Sequence, residues 1–264
     1  MARHDRQPDE RGGGGVGVKV AWFSTGVSSL CSILLAKDVD KIIYTHVGDQ
    51  HEDSLRYLYD CERYLGQKIE ILQSPYKTVD SVVRACGFCP SAAGMKCTEV
   101  LKRRVRKKWE REQKKAGITD LTYVWGYDAG EPGRVERLTE AMPTQEHEFP
   151  LLDAQMSKQS CHGMLAKTKI KRPLMYDLGY NNNNCIACLK GGMGYWNKIR
   201  RDFPDYFKSR AILERDTNHS FINGVFLDEL DPERGRMTKE IMPACDIACE
   251  IMSYTMQQEA NHDE

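Results

Sequence analysis

A short apolar run that breaks at a cluster of small residues and then restarts constrains this chain more than any other stretch. Val18-Lys19-Val20-Ala21-Trp22-Phe23 reads as a buried strand, Ser24-Thr25-Gly26-Val27-Ser28-Ser29 as a loop, and Leu30-Cys31-Ser32-Ile33-Leu34-Leu35 as the helix that follows. A strand that passes through such a loop into a helix leaves backbone N–H groups and hydroxyls aimed at one spot, which suits an anion such as phosphate. The expected ligand is a nucleotide or another phosphorylated molecule. By itself the segment fits equally well an ordinary strand, turn and helix whose serines cap the helix.

Downstream the same alternation repeats. Lys41 to Val47 looks like a second strand, Leu55 to Leu65 an amphipathic helix, Lys68 to Leu72 a third strand and Leu121 to Trp125 a fourth, with Glu146 to Leu152 a short edge-like run. The fold class expected from this order is α/β, an open and mostly parallel sheet flanked by helices. Such a sheet binds its ligand outside the carboxyl ends of its strands. Asp49, His51, Glu52 and Asp53 are therefore candidates for the nucleotide or its magnesium, although Asp53 and Ser54 serve equally as helix caps. Gly126 to Arg134 is a second polar, glycine-rich strand end, where Arg134 and Arg137 can reach a phosphate and Glu131 a metal or a ribose.

A chain of 264 residues can bury one large core, or one core and a smaller appendage. The expected organisation is a disordered leader over 1–17, a nucleotide-binding α/β domain over 18–180 and a helical, cysteine-containing module over 181–264, with helices from Trp196 to Arg201 and from Asp205 to Arg215. Lys and Arg balance Asp and Glu at 38 each, so no whole-chain field draws in nucleic acid. Locally the balance fails. Between Leu101 and Ala116 the only acids are Glu110 and Glu112, among nine Lys and Arg, so the helix over 102–115 is either a solvated face or a patch for tRNA, DNA or a phosphorylated substrate. No stretch is apolar for long enough to span a bilayer, and the leader lacks the apolar core of a signal peptide. The expectation is a cytoplasmic protein with no membrane partner, forming a homo-oligomer.

Ten cysteines are many for such a chain, and several come in close pairs: Cys86 with Cys89, Cys185 with Cys188, Cys245 with Cys249. In a reducing compartment this spacing points to metal or redox chemistry rather than disulfides. Thiolates are soft ligands that select zinc or iron–sulfur clusters, four to a site. Cys185 and Cys188 supply two, in a setting of asparagines and glycines that lets the backbone fold tightly. Cys245 and Cys249 complete the set, or else Cys86 and Cys89, or Cys97 and Cys161. His147, His162 and His219 could be ligands or acid–base groups, although a lone histidine is more often structural; Met193 and Trp196 read as packing round the cysteine turn, and Tyr195 as packing or as a surface on which a base could stack.

Four stretches, in order, carry a resemblance. Ser24 to Ser29 resembles the PP-loop of the N-type ATP pyrophosphatases, matching at Ser24, Gly26 and Ser29, with Thr25 in place of a glycine and Ser28 in place of an aspartate. Thr45 to Ser54, Gly126 to Arg134 and the Asn184-Cys185-Ile186-Ala187-Cys188 run, with Lys190, Gly191, Gly192 and Trp196 behind it, are similar to motifs of the phosphoadenosine phosphosulfate reductase-like branch of that superfamily. The resemblance implies an adenine nucleotide alpha hydrolase-like fold of HUP type. It further implies an enzyme that binds ATP or an adenosine phosphosulfate-type nucleotide with Mg2+ through Ser24, Thr25, Gly26, Ser28, Ser29, Asp49, Glu52, Gly126, Glu131 and Arg134. Ser24, Ser29, Asp49 and Arg134 would act in catalysis, the acceptor would be adenylated, and sulfur would then be transferred to a nucleic acid or metabolite. A 4Fe–4S cluster, otherwise Zn2+, would sit on the cysteines, and a sulfur-donor protein or thioredoxin would be a partner. The nearest alternative is a sulfonucleotide reductase with a thiol nucleophile, although Cys249-Glu250 lacks the Glu-Cys-Gly-x-His setting of such a thiol. A nucleotide-binding or nucleic-acid-binding accessory without turnover is the third.

Overall fold

Along β1 (Val18–Phe23) the buried side chains alternate between two layers: Ala21 and Phe23 face one set of helices, Val20 and Trp22 the other. A strand covered on both sides belongs in the middle of a parallel sheet, and β1 is the central strand here. In the computed structural model, which describes residues 17–87, 95–222 and 224–237, the five strands lie in the order β3-β2-β1-β4-β5, with every pairing parallel. The others are β2 (Lys41–His46), β3 (Ile69–Gln73), β4 (Leu121–Val124) and β5 (Glu146–Glu148). The expected α/β sheet is thus present, and it is parallel throughout. The chain runs outward from β1 to β3 on one side and returns on the other side with β4 and β5. At that reversal the loops after β1 and β4 part and leave a crevice at the carboxyl edge.

The helices, in chain order, are α1 (Val27–Leu35), α2 (Asp53–Leu65), α3 (Val79–Cys86), α4 (Lys96–Thr98), α5 (Arg104–Lys115), α6 (Pro132–Ala141), α7 (Pro150–Asp153), α8 (Lys158–Lys167), α9 (Leu174–Asp177), α10 (Met193–Asp202) and α11 (Pro204–Thr217). On one face of the sheet Leu30 and Cys31 of α1, Tyr57 and Leu58 of α2 and Leu165 of α8 pack on Phe23, Ile42 and Tyr44. On the other, Trp109 of α5 and Leu138 of α6 pack on Val20, Trp22, Ile43 and Tyr123. Each such side chain contributes about 1.5–3 kcal/mol by leaving water. A third core joins Val82 and Val83 of α3 and Leu101 to Trp196, Ile199 and Leu213, so the carboxy-terminal helices share their interior with earlier parts of the chain.

Three local expectations need adjusting. The run after Glu146 leaves the sheet at Glu148, because Pro150 opens α7, and a proline that cannot donate to a ladder is well suited to a first helical turn. The basic segment enters α5 through a π-helical turn, Glu99–Arg103. It also has an inner face: Arg106 is buried against Glu110 at 2.6 Å, a carboxylate that also accepts the Tyr123 hydroxyl at 2.6 Å, while Lys107, Lys108, Arg111, Lys114 and Lys115 remain outside. α10 begins at Met193 and ends at Asp202, longer than its sequence pattern indicated. Of the expected leader, residues 1–16 lie outside the described residues. No helix among the described residues is long and apolar enough to cross a membrane.

Candidate functional site

The crevice beside β1 opens into a cleft. Its floor is the loop between β1 and α1. Ser29 organises that loop: its hydroxyl accepts the Ser24 N–H at 3.2 Å, lies 3.1 Å from the Ser24 hydroxyl and donates to the Gly26 carbonyl at 2.9 Å. Ser24, Gly26, Ser28 and Ser29 all line the cleft, as the sequence pattern leads one to expect. The first turn of α1 has no side-chain cap of its own, and Tyr176 approaches instead, its hydroxyl taking the Val27 N–H at 3.3 Å.

Thr25 behaves differently. It sits at φ +58°, a region that β-branched residues avoid, and it is wholly buried and does not line the cleft. Its hydroxyl donates to the Ser24 carbonyl at 2.6 Å. The Asn183 amide nitrogen reaches the Thr25 carbonyl at 2.9 Å, the Thr25 hydroxyl at 3.2 Å and the Ser54 hydroxyl at 3.0 Å. The strained residue is therefore held by a side chain 158 residues further along. Its side chain is a tether, not a phosphate contact.

The β4 loop forms the opposite wall. Gly126, Glu131 and Arg134 line the cleft, Glu131 and Arg134 are ion-paired, and the Arg134 guanidinium lies 4.5 Å from the centre of the Tyr127 ring. Lys158 of α8 and Lys102 of the π-helical turn add two further cations. Lys158 donates to the Asn182 side chain, and burial holds its amine below the ordinary lysine range, against the opposing pull of Glu131 and Asp128. With Glu131 as the one carboxylate lining the cleft among the described residues, the balance of charge favours an anion.

Asp49 and Glu52 lie elsewhere. Asp49 is buried in an ion pair with Arg210 of α11 and also accepts the Val79 N–H at 2.7 Å. Glu52 is exposed ahead of α2, and neither carboxylate lines the cleft. Asp53, whose carboxyl Arg56 holds below the usual carboxylate range, fastens the start of α2 to the start of α9 through the Leu174 N–H at 2.7 Å.

The cysteines divide between two places. Cys185 and Cys188 line a second, smaller and mostly apolar cavity together with Cys97, Val79 and Leu101, and Lys102 borders both this cavity and the cleft. The Cys188 N–H donates to the Tyr195 hydroxyl at 3.0 Å, and Ala187 between the two cysteines sits at φ +54°. Cys161 is remote from Cys97, which separates that suggested pair: it packs against Cys31 across α1 and α8, the Cys31 thiol 3.4 Å from the Cys161 carbonyl. Cys89, Cys245 and Cys249 lie outside the described residues. Among those described, no group of three or more His, Cys, Asp and Glu side chains gathers as a single-ion site would.

No protein-family model matches the chain. It is 25% identical, over 204 residues, to an uncharacterised protein of Methanocaldococcus jannaschii. That similarity covers 74% of this chain and 41% of the relative, so the chain spans well under half of the relative's length.

Lys102, Lys158, Tyr176 and Asn183 line the cleft without having stood out as site residues. Only the asparagine run carried a local signal, which composition alone reads as a turn. Lys102 was hidden among the other charges of the basic segment, and nothing near Lys158 or Tyr176 in sequence marks them.

Proposed function

We propose that the cleft binds ATP and that the chain uses it to adenylate an acceptor, as the activating step of a sulfur transfer to a nucleic acid or metabolite. The supporting observation is the serine-locked amino terminus of α1 facing three cationic side chains, Lys102, Arg134 and Lys158, across one cleft. An acceptor oxygen would attack the α-phosphorus, forming a P–O bond while the bond to pyrophosphate breaks; sulfur would later displace AMP. Backbone N–H groups of Gly26 and Ser28 are suited to the departing pyrophosphate, since donors fixed in advance need not reorganise as charge develops, while the Ser24 and Ser29 hydroxyls, bonded to each other and to the Gly26 carbonyl, hold the loop in shape. Arg134 and Lys158 would balance the remaining charge. Thr25, turned away from the cleft, leaves that cradle open despite replacing a glycine. Magnesium would enter with the nucleotide, with Glu131 the carboxylate placed to help hold it.

Cys185 and Cys188, with Cys97 beside them, offer the soft donors that iron–sulfur clusters and zinc prefer. A cluster distributes its ligands round several atoms, so they need not converge on one point. Such a cluster would supply sulfide or electrons close to the cleft. The outward basic face of α5 leads away from Lys102 and is the surface proposed for a tRNA or DNA acceptor.

Calorimetric titration with ATP tests the binding step. Saturable binding that is weakened in Lys158→Met and Arg134→Met supports the assignment, as does release of AMP and pyrophosphate only when tRNA or DNA is present. A titration without heat or saturation at millimolar ATP overturns it. Iron, zinc and acid-labile sulfide measured after anaerobic purification, with and without Cys185→Ser, test the cysteine site separately.

A further inference from the structure

We propose that the outward face of α5 is a track for the phosphate backbone of a nucleic-acid duplex, with Arg111 at its centre. The proposal rests on the reading of α5 as the acceptor's surface and adds to it the form of nucleic acid that fits and the residue on which the contact turns. Six of the seven exposed residues between Arg104 and Lys115 are cations: Arg104, Lys107, Lys108, Arg111, Lys114 and Lys115. At about 3.6 residues per turn they fall within an arc of about 120° and extend for about 16 Å along the helix axis. Arg106 and Trp109, on the opposite side, are buried, so the stripe faces solvent. Lys102, one turn before α5 is fully under way, lines the cleft, and the stripe therefore sets out from the rim of the cleft.

This arrangement destabilises the free helix. Lys107 and Lys108 lie one turn before Arg111 and Lys114 and Lys115 one turn after it, so a like charge occupies each of its four neighbouring positions on the helix surface. A helix that needs only to be solvated gains from acids at those spacings, whereas like charges there oppose it. Arg111 has no ion pair among the described residues to offset them; the exposed acid of the helix, Glu112, lies 3.8 Å from Lys108 instead. The chain as a whole is neutral, so the stripe is not a by-product of a basic composition. A polyanion laid along such a line turns the repulsion into attraction and gives up its condensed counterions in the process. Single strands are held largely by stacking their bases on aromatic rings, and no aromatic side chain is exposed along the stripe. A duplex covers its base faces and presents phosphates outward, which cations alone can hold.

The test measures fluorescence anisotropy on the full chain with a short DNA duplex, an RNA duplex of the same sequence and the single strand, beside urea denaturation of the free protein. A duplex is expected to bind more tightly than the single strand. Arg111→Gln keeps a good helix former at the position; its denaturation midpoint should rise while the slope of log affinity against log salt becomes shallower by about 0.9. Arg111→Glu, which turns four repulsions into attractions, should raise the midpoint further and weaken duplex binding at least about ten-fold at equal salt. Unchanged duplex binding and salt slope in both variants overturn the proposal, and so does a lower midpoint in both, which makes the stripe structural. A single strand that binds as tightly as the duplexes overturns the duplex, and displacement of the duplex by anionic phospholipid vesicles at equal charge overturns it in favour of a membrane surface. ATP titrated into the unaltered chain keeps the two readings apart: duplex binding without ATP binding removes the nucleotide assignment of the cleft and leaves the track, and ATP binding without duplex binding does the reverse.

Discussion

Gly126 and Ser29 meet backbone to backbone: a methyl group on Gly126 would stand 2.7 Å from the Ser29 Cα and 2.9 Å from its nitrogen. This contact seats the β4 loop directly on the first turn of α1. Backbone cannot swing aside as a long side chain can, so Gly126→Ala must push the two walls of the cleft apart. The expected cost is about 1–3 kcal/mol of stability together with weakened ATP binding, read by chemical denaturation and calorimetry. Unchanged values for both would show that the walls are not coupled in this way.

Asp49 looks from its sequence like a metal ligand, but its partner is Arg210. Removing one member of a buried ion pair leaves the other charge stranded, so Arg210→Met should destabilise the chain by about 3–5 kcal/mol, measured by denaturant titration. Asp49→Asn should likewise lose stability. A magnesium ligand would behave otherwise, with Asp49→Asn stable and defective only in metal-dependent turnover.

Three histidines, His46, His147 and His162, are held below their ordinary value of 6.5, in each case chiefly by burial. In the folded chain they resist protonation, while the unfolded chain takes up protons near pH ~6.5. Stability should therefore be full above that value and fall as the pH drops through it toward the lower folded values. His147 has both ring nitrogens engaged, accepting the Trp125 indole N–H at 3.0 Å and donating to the Met142 carbonyl at 3.2 Å. His147→Gln should flatten part of the slope between pH 5.5 and 7.5; an equal slope in the variant would count against this account.

Lys158 loses its proton at a lower pH than an ordinary lysine, because burial disfavours the charged amine. ATP affinity should accordingly begin to weaken, as the pH is raised, before the ordinary lysine value of 10.5 is reached, and Lys158→Met should bind weakly with little of that dependence left. Parallel pH curves for the two proteins would assign the dependence to another group.

The loop between β1 and α1 was legible because strand, loop and helix are contiguous and each announces itself by period and composition. The same locality misled at Asp49. A carboxylate at a strand end looks like a ligand until Arg210, 161 residues further on, is seen against it. Lys158 and Tyr176 reach the cleft only through the packing of α8 and α9, and neither has a neighbour in sequence that betrays its position. For the cysteines, spacing identified Cys185 and Cys188 as a unit, and among the described residues Cys97 shares their cavity, while Cys161 lies with Cys31 in another core.

Thr25 and Asn183 are 158 residues apart, and that separation has a consequence for how the molecule comes into being. The loop after β1 leaves the ribosome well before the side chain that holds its strained residue is made. A truncated or half-synthesised chain would carry the binding motif without the clasp. The final shape of the loop would thus wait on the segment around Asn183, and the loop would report that this segment has folded onto it.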